Sequence, residues 1–172
     1  MQFEEKTIEK QVVFKGKLLT VRRDSVLLPN GDKATREIID HVGGSSVYCE
    51  KDNKVLLVKQ FRYAYGEEIW EIPAGKLNPN EDPSVTALRE LEEECGIRAN
   101  KIEKLFDIYP TPGYTNEITR IYLATDLIEG KQKLDDGEFL TFKWFDKDEL
   151  RNMIKSNQIK DAKTLVALLK ML

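Results

Sequence analysis

The alternation of apolar and polar positions first predicts a small N-terminal β-sheet. Residues 2–14 and 17–28 mix β-branched and apolar residues with charged ones, and Lys15-Gly16 interrupts the pattern between them. The segment Pro29-Asn30-Gly31-Asp32 predicts a turn, since Asn-Gly is a strong hairpin signal. A third strand is predicted over 34–42. Because so thin a sheet buries little apolar surface alone, we expect it to dock within the chain or on a second copy.

After residue 43 the apolar runs become longer. The stretches SSVYCE and KVLLVKQFR flank Lys51-Asp52-Asn53 and are typical of a hairpin of buried strands. Further strands are predicted over 67–73, 102–109, 117–126 and 141–145, and further helices over 146–156 and 160–172. This mixture predicts an α/β or α+β sandwich. We expect residues 1–43 to be an N-terminal β-sheet segment and residues 44–172 to be the main domain.

A helix with well-marked ends is predicted over residues 83–95. Asp82 is a natural N-cap, and Pro83 suits the first helical position, where its missing N–H is not needed. Gly96 can adopt the left-handed conformation that ends a helix.

The same helix carries a cluster of acidic residues. At about 100° per residue, one apolar face is shared by Ser84, Leu88, Leu91 and Cys95. Glu90, Glu93 and Glu94 are predicted to lie across the helix from that face. Because like charges one turn apart repel each other, a bound divalent cation would explain their presence. A solvated acidic helix face is the alternative.

Composition limits the possible functions. The chain has 172 residues, of which 41% are hydrophobic and 33% charged, and its net charge is -3. This charge argues against a general nucleic-acid partner but permits a phosphorylated substrate, because a bound metal can supply positive charge locally. The single histidine, His41, excludes a multi-histidine zinc site, and Cys49 and Cys95 are expected to be buried free thiols. Without an apolar leader or a membrane-length apolar run, a cytoplasmic protein with no membrane partner is expected.

The residues from Gly75 to Ile97 resemble the Nudix hydrolase signature G-x5-E-x7-R-E-U-x-E-E-x-G-U, where U is a bulky aliphatic residue. Its fixed positions are filled by Gly75, Glu81, Arg89, Glu90, Leu91, Glu93, Glu94, Gly96 and Ile97. The resemblance implies a Nudix α/β/α sandwich with a mixed sheet, and hydrolysis of a diphosphate linked to another moiety. Arg89 is expected to hold the loop and the glutamates in place. Glu81 is expected either to orient the loop or to contact metal.

The resemblance also implies a site for Mg²⁺ or Mn²⁺. Glu90, Glu94 and the backbone carbonyl of Ala74 are the implied metal ligands. Glu93 is assigned to the catalytic set as a support for these ligands. Hard divalent ions prefer such oxygen ligands and often join carboxylates to substrate phosphates.

The loop YPTPGYTNE, residues 109–117, resembles the corresponding loop of ADP-ribose pyrophosphatases. Pro112 lies sixteen positions after Gly96, and Glu117 matches the glutamate that is proposed to activate water in that subgroup. Thr111 stands where serine is usual. A rigid turn with a solvated glutamate is the alternative for this loop.

Other segments extend the resemblance over nearly the whole chain. Arg36-Glu37 and Arg62 resemble positions that contact ADP-ribose, and the ending that begins Asp161-Ala-Lys-Thr resembles the same subgroup. Arginine suits phosphates because its planar fork makes paired hydrogen bonds. The resemblance further implies a homodimer, in which the N-terminal sheets exchange and complete each active site.

The resemblance, together with the acidic helix, predicts an Mg²⁺-dependent hydrolase that converts ADP-ribose to AMP and ribose 5-phosphate. A Nudix hydrolase of another nucleoside diphosphate sugar or of a dinucleotide is the first alternative. A non-catalytic ADP-ribose sensor is the second, and the complete set of signature acids argues against it, as does the lack of a basic DNA-binding segment. A structural interaction protein would leave the acid cluster unexplained.

Overall fold

The structure, a computed structural model, describes residues 3–172 and divides the chain into two compact units. One unit comprises the N-terminal residues through Gly43 together with the segment Tyr109–Ile118. The other comprises Gly44–Ile108 and Thr119–Leu172. No helix within the described range has both the length and the apolar character needed to cross a membrane.

The first unit contains the predicted antiparallel sheet. Its strands are β1 (Lys6–Lys15), β2 (Thr20–Leu27) and β3 (Lys33–Asp40), paired in chain order. The predicted hairpin turn joins β2 to β3, and Gly31 adopts a φ of 89° there, which a glycine tolerates without strain. Residue 2, which belonged to the predicted first strand, lies outside the described residues. Every residue of β1 is exposed.

The second unit contains a mixed sheet and helices. Its elements are β4 (Gly44–Lys51), β5 (Lys54–Arg62), β6 (Glu67–Glu71), β7 (Ala74–Lys76), α1 (Pro83–Cys95), β8 (Ile97–Ile108), β9 (Thr119–Glu129), β10 (Leu140–Asp146), α2 (Lys147–Lys155) and α3 (Ala162–Met171). The main path of the sheet runs β10-β5-β4-β9-β8, with β6 beside β5 and β7 beside β4. Strands β4 and β9 are parallel, whereas the other paired strands are antiparallel. The predicted mixed sheet is therefore confirmed.

The long apolar runs are explained by burial of both faces of the sheet. In β4, Val47 and Cys49 belong to the core cluster that includes Leu91 of α1. Tyr48, which lies between them, belongs to the cluster that includes Leu168 of α3. Neighbouring residues of a strand point to opposite faces, so an uninterrupted apolar run fits a sheet covered on both sides. Each fully buried leucine of this kind contributes about 2 kcal/mol. The layers are those of an α/β/α sandwich.

The main differences from the predicted elements occur next to α1. The short strand β7 (Ala74–Lys76) was not predicted, because three residues are too few to show a period of two. Strand β8 starts at Ile97, directly after the helix cap, and not at Ile102. In the first unit, β3 ends at Asp40 and not at Val42. Strand pairing, which the local pattern does not report, sets each of these limits.

Candidate active site

Helix α1 begins and ends where its capping residues predict. The side chain of Asp82 accepts a hydrogen bond from the Ser84 N–H at 2.8 Å, and Pro83 is the first helical residue. Gly96 adopts a left-handed conformation with φ 66°, and its N–H donates to the Glu92 carbonyl at 2.8 Å. Both ends of the helix that carries the acidic residues are therefore set by local sequence.

The buried face of α1 differs from the predicted one. Its buried residues are Thr86, Ala87, Leu91, Glu94 and Cys95. Glu94, expected opposite the core, is only 3% exposed, and the prediction for its position on the helix is wrong. The physical reason is the unpredicted strand β7, whose Ala74 N–H donates to Glu94 Oε2 at 3.1 Å.

Glu90 and Glu94 form a pair of largely buried carboxylates one helical turn apart. Burial, together with the negative charge of Glu90, raises the pKa of Glu94 to about 8. Burial also raises the pKa of Glu90, against the opposing charge of Arg89. Both carboxylates are held where their charged forms lack water, so a cation that binds them would stabilise those forms.

Gly75 brings the backbone of β7 close to this pair. A Cβ atom built on Gly75 would overlap the carboxylate of Glu90. Only a glycine therefore lets the start of the signature loop pack against Glu90 without displacing it. The fixed glycine of the motif thus has a steric reason.

Arg89 gathers three carboxylates of the loop and the helix. Its Nη1 lies 2.7 Å from Glu90 Oε1 and 2.8 Å from Glu93 Oε2, and its Nε lies 3.0 Å from Glu81 Oε1. The predicted holding role of Arg89 is confirmed. Glu81 also accepts a hydrogen bond from the Asn78 N–H at 3.1 Å, and its hydrogen bonds from Arg89 lower its pKa to about 2. Of its two predicted roles, these contacts favour orientation of the loop.

The fit of this site to a divalent cation rests on the chemistry of its donors. Within residues 3–172, no three histidine, cysteine, aspartate or glutamate side chains already surround a common metal position. Glu90 and Glu94 offer carboxylate oxygens, and Ala74, bonded to Glu94 through its N–H, also has a backbone carbonyl. Oxygen donors of this kind suit Mg²⁺ and Mn²⁺.

Arg62 is held in a fixed orientation in the same unit. Its Nε and Nη2 donate to the two carboxylate oxygens of Glu71 at 2.5 and 2.8 Å. The hydrogen bonds from Arg62 to Glu71 raise the pKa of Arg62, and the negative charge of Glu94 contributes to the same upward shift. Arg62 therefore lies within electrostatic reach of Glu94.

In the other unit, the loop Tyr109–Ile118 is tied to the end of β3. The Ile39 N–H donates to the Tyr114 carbonyl at 2.7 Å, and the Asn116 N–H donates to the Ile39 carbonyl at 3.2 Å. The Asn116 side chain in turn accepts a hydrogen bond from the His41 N–H at 2.9 Å. These bonds hold the backbone of the loop from residue 114 to residue 116. Pro112 is exposed in the same loop.

Glu117 is held in this loop beside a residue that sequence reasoning missed. Its N–H donates to Thr115 Oγ1 at 3.1 Å, and its Oε1 lies 3.6 Å from His41 Nδ1. The same nitrogen of His41 accepts a hydrogen bond from the Gly43 N–H at 3.1 Å. No local signal in the sequence links His41 to Glu117, a residue so distant in the chain.

Arg36 and Glu37 lie on opposite faces of β3. Arg36 Nε donates to Glu5 Oε2 at 2.8 Å, so its guanidinium is already paired. Glu37 follows it directly in the strand and is exposed, and consecutive strand side chains point to opposite sides of a sheet. The structure therefore does not bring these two side chains together on one face.

Comparisons with known proteins agree with this geometry. Residues 40–168 match the model of the NUDIX domain, and residues 5–39 match that of the nucleoside diphosphate sugar hydrolase N-terminal domain. A solved structure of an ADP compounds hydrolase superposes with a TM-score of 0.85 over 96% of this chain and 91% of that chain. Its sequence identity is 20%, so this likeness describes the fold.

Two relatives resemble the chain over almost its full length. The ADP-ribose pyrophosphatase of Bacillus subtilis is 42% identical over 168 residues, which is 96% of this chain and 91% of the relative. The methanol dehydrogenase activator of Bacillus methanolicus has the same identity and the same coverage. Because the NUDIX model matches well over half of the chain, the chain belongs to the Nudix family.

Proposed function

We propose that this protein hydrolyses the diphosphate of ADP-ribose to AMP and ribose 5-phosphate, with Mg²⁺ or Mn²⁺ bound. The observation that carries the proposal is the largely buried pair Glu90 and Glu94, which lies beside the backbone of β7 in a chain with every signature acid. The choice of ADP-ribose is supported by the 42% identity to the Bacillus subtilis ADP-ribose pyrophosphatase.

Glu90, Glu94 and the carbonyl of Ala74 would hold the metal. A divalent ion there supplies positive charge to the diphosphate oxygens. Glu93 supports the ligands through Arg89, which it shares with Glu90. A bound cation would also offset the free-energy cost of keeping the buried Glu94 carboxylate ionised.

Glu117 is the proposed general base. It accepts a proton from the attacking water as the water oxygen bonds to one phosphorus and the bond from that phosphorus to the bridging oxygen breaks. Arg36, Glu37, Arg62 and Pro112 are the proposed substrate-binding residues. The two arginines suit the phosphates of the substrate.

The main alternative is hydrolysis of another nucleoside diphosphate sugar or of a dinucleotide. The same acids would act on any such diphosphate, and the match of residues 5–39 to the N-terminal domain of nucleoside diphosphate sugar hydrolases supports this broader class. The methanol dehydrogenase activator of Bacillus methanolicus is equally similar to this chain, so identity alone does not choose the substrate. A non-catalytic sensor is disfavoured by the complete acid set.

We also propose a homodimer formed through the N-terminal sheet. Strand β1 is exposed along its whole length, and four of its apolar side chains are at least half exposed: Ile8, Val12, Val13 and Phe14. An exposed apolar strand of this length is usually covered by a partner.

The cytosolic location, and the expectation of no nucleic-acid or membrane partner, stay predictions.

The test is the turnover of a substrate panel by the purified protein with Mg²⁺, read out as AMP or the corresponding nucleotide product. The panel contains ADP-ribose, NADH, ADP-glucose, GDP-mannose and diadenosine polyphosphates. We expect the highest kcat/KM with ADP-ribose. A preference for another member would reassign the substrate, and no turnover of any member would refute hydrolysis.

Two variants of α1 test the site itself. Glu94→Gln should lower kcat by about a hundredfold or more, because charge stabilisation by a bound metal contributes several kcal/mol. Glu92→Gln is the matched control, since Glu92 is exposed on the same helix and fills the open position of the motif. Equal activity of the two variants, with folding checked by circular dichroism, would refute the metal assignment.

A further inference from the structure

The start of α3 forms a polar network that the proposed chemistry does not use. Asp161 caps the helix by accepting hydrogen bonds from the Thr164 N–H at 2.9 Å and from the Thr164 hydroxyl at 2.6 Å. The Thr164 hydroxyl oxygen accepts a hydrogen bond from the Ile72 N–H at 2.8 Å, and Thr164 is fully buried. These bonds fix the first turn of α3 against the backbone that follows β6.

Lys163, in the same turn, reaches the carboxylate that holds Arg62. Its Nζ forms an ion pair with Glu71 Oε2 and lies 2.9 Å from Asp161 Oδ1. The side chain of Lys163 is 14% exposed and that of Glu71 only 4% exposed. The buried carboxylate of Glu71 therefore joins Lys163 of α3 to Arg62 of β5. Together with Asp161, the network contains two positive and two negative side chains.

The network leaves one edge of the Arg62 guanidinium available. Nε and Nη2 are bonded to Glu71, whereas Nη1 makes no hydrogen bond with residues 3–172. The Arg62 side chain is 41% exposed, although its partner is buried. A guanidinium held on one edge by a fixed carboxylate can present the other edge to a phosphate without loss of further side-chain freedom.

We propose that Lys163 is a positioning residue, which acts through Glu71 to orient the guanidinium of Arg62 toward a phosphate of the substrate. The inference rests on the proposed function, which assigns Arg62 to substrate binding. Without Lys163, the Glu71 carboxylate loses one of its two cationic partners, so both Glu71 and the Arg62 guanidinium bonded to it are held less firmly in one orientation. The effect belongs to substrate binding, so it should appear in KM and in ligand affinity.

The first test compares Lys163→Met with Lys160→Met. Lys160 is the matched control, because it also links this segment to β6, through an exposed pair with Glu67 at 2.9 Å, but does not touch Glu71. We expect Lys163→Met to raise KM for ADP-ribose by roughly fivefold to tenfold while kcat changes less than about twofold. In EDTA, calorimetry should show AMP affinity weakened by a similar factor, and Lys163→Arg should restore part of the loss. Lys160→Met should leave both quantities unchanged.

A double-mutant cycle separates positioning from simple destabilisation. If Lys163 acts through Arg62, Lys163→Met should not raise KM any further in an Arg62→Ala background. The same increase in both backgrounds, or an equal effect of Lys160→Met, would overturn the inference. Should the methionine variant fail to fold, Lys163→Gln is subjected to the same comparisons.

The outcomes distinguish this inference from the proposed function. Wild-type turnover with an unchanged KM in the Lys163 variants refutes only the inference. Wild-type protein that neither hydrolyses any panel member nor binds AMP refutes both.

Discussion

Two buried glutamates show how neighbouring charges set the direction of a pKa shift. Glu94 and Glu71 are each only 3% exposed. Burial acts to raise the pKa of Glu71, but hydrogen bonds from Arg62 and the charge of Lys163 outweigh it, and the net shift is downward. Glu94 has the carboxylate of Glu90 as its neighbour, and its pKa rises. Glu71 is thus suited to a permanent ion pair within the protein, whereas Glu94 is suited to bind a metal cation.

The lowered pKa of Glu71 predicts a specific dependence of stability on pH. Its folded-state pKa lies below the ordinary value of 4.5, so its stabilisation is present above about pH 4.5 and is lost as the pH falls through the folded value. Glu71→Gln should lower the free energy of unfolding at neutral pH by about 1–3 kcal/mol, since Arg62 loses its carboxylate partner and Lys163 keeps only Asp161. Below about pH 4.5 the variant should lose less stability than the wild type does. Urea unfolding from neutral to acidic pH measures both effects.

Glu68→Gln is the control for this experiment. Glu68 lies on the same strand as Glu71, but its side chain is 57% exposed and pairs with Lys59. Exposed pairs of this kind contribute only about 0–1 kcal/mol, so this variant should follow the wild-type curve. A Glu71→Gln curve parallel to that of the wild type at acidic pH would contradict the assignment.

At the scale of elements, the short strand β7 builds the candidate metal site. It pairs with β4 through Ala74 and Ser46, and this pairing sets its backbone against α1. The contact buries Glu94 under the Ala74 N–H, and it depends on Gly75 for space. This three-residue strand thereby buries Glu94 and packs closely against Glu90 on one face of the helix.

Gly75→Ala should damage this arrangement more than it damages the fold. The new methyl group would overlap the Glu90 carboxylate, a flexible side-chain end that can move aside. We expect affinity for Mn²⁺ to fall by roughly tenfold to a hundredfold, as when the surroundings of a metal ligand are disturbed, with little change in Tm. Electron paramagnetic resonance of Mn²⁺ binding and thermal unfolding measure the two quantities.

Gly113→Ala is the control substitution for Gly75→Ala. Nothing lies within 4 Å of a Cβ built at Gly113, so its Mn²⁺ affinity should match that of the wild type. Unchanged Mn²⁺ affinity in Gly75→Ala would instead show that the position of Glu90 is irrelevant to metal binding.

At the scale of the whole molecule, the two units differ in how completely they bury apolar surface. The sandwich unit has core clusters on both faces of its sheet. In the other unit, β1 exposes apolar side chains along its length, and Val26 is the hydrophobic residue of β2 that is most deeply buried. This imbalance is the physical basis of the proposed homodimer.

Charge on β1 should therefore abolish self-association. We expect wild-type protein to sediment as a dimer, and the double variant Val12→Lys with Phe14→Lys to sediment as a monomer, because both side chains are 57% exposed and would be covered in the dimer. Lys10→Gln, on the same strand, is the control and should remain dimeric. Analytical ultracentrifugation measures the masses, and a monomeric wild-type protein would refute the proposal.

Much of the fold was determined by the sequence itself, because the responsible signals are local. Asp82 and Gly96 delimit α1 through bonds to residues within a few positions. The Asn30-Gly31 turn and the apolar runs of β4 and β5 likewise act over short distances, and they predict the N-terminal sheet and a hairpin of buried strands. The acids of α1 were also evident, since a motif of fixed spacing needs no knowledge of the fold.

Only the tertiary structure decided how the site residues are surrounded. The burial of Glu94 under β7, the contact of His41 with Glu117, and the link from Arg62 through Glu71 to Lys163 each join segments that are distant in sequence. Hydrophobic periodicity reports which face of an element is apolar, but not which element covers it. The charge, desolvation and orientation of a carboxylate depend on that covering element, and therefore appear only once the strands have paired.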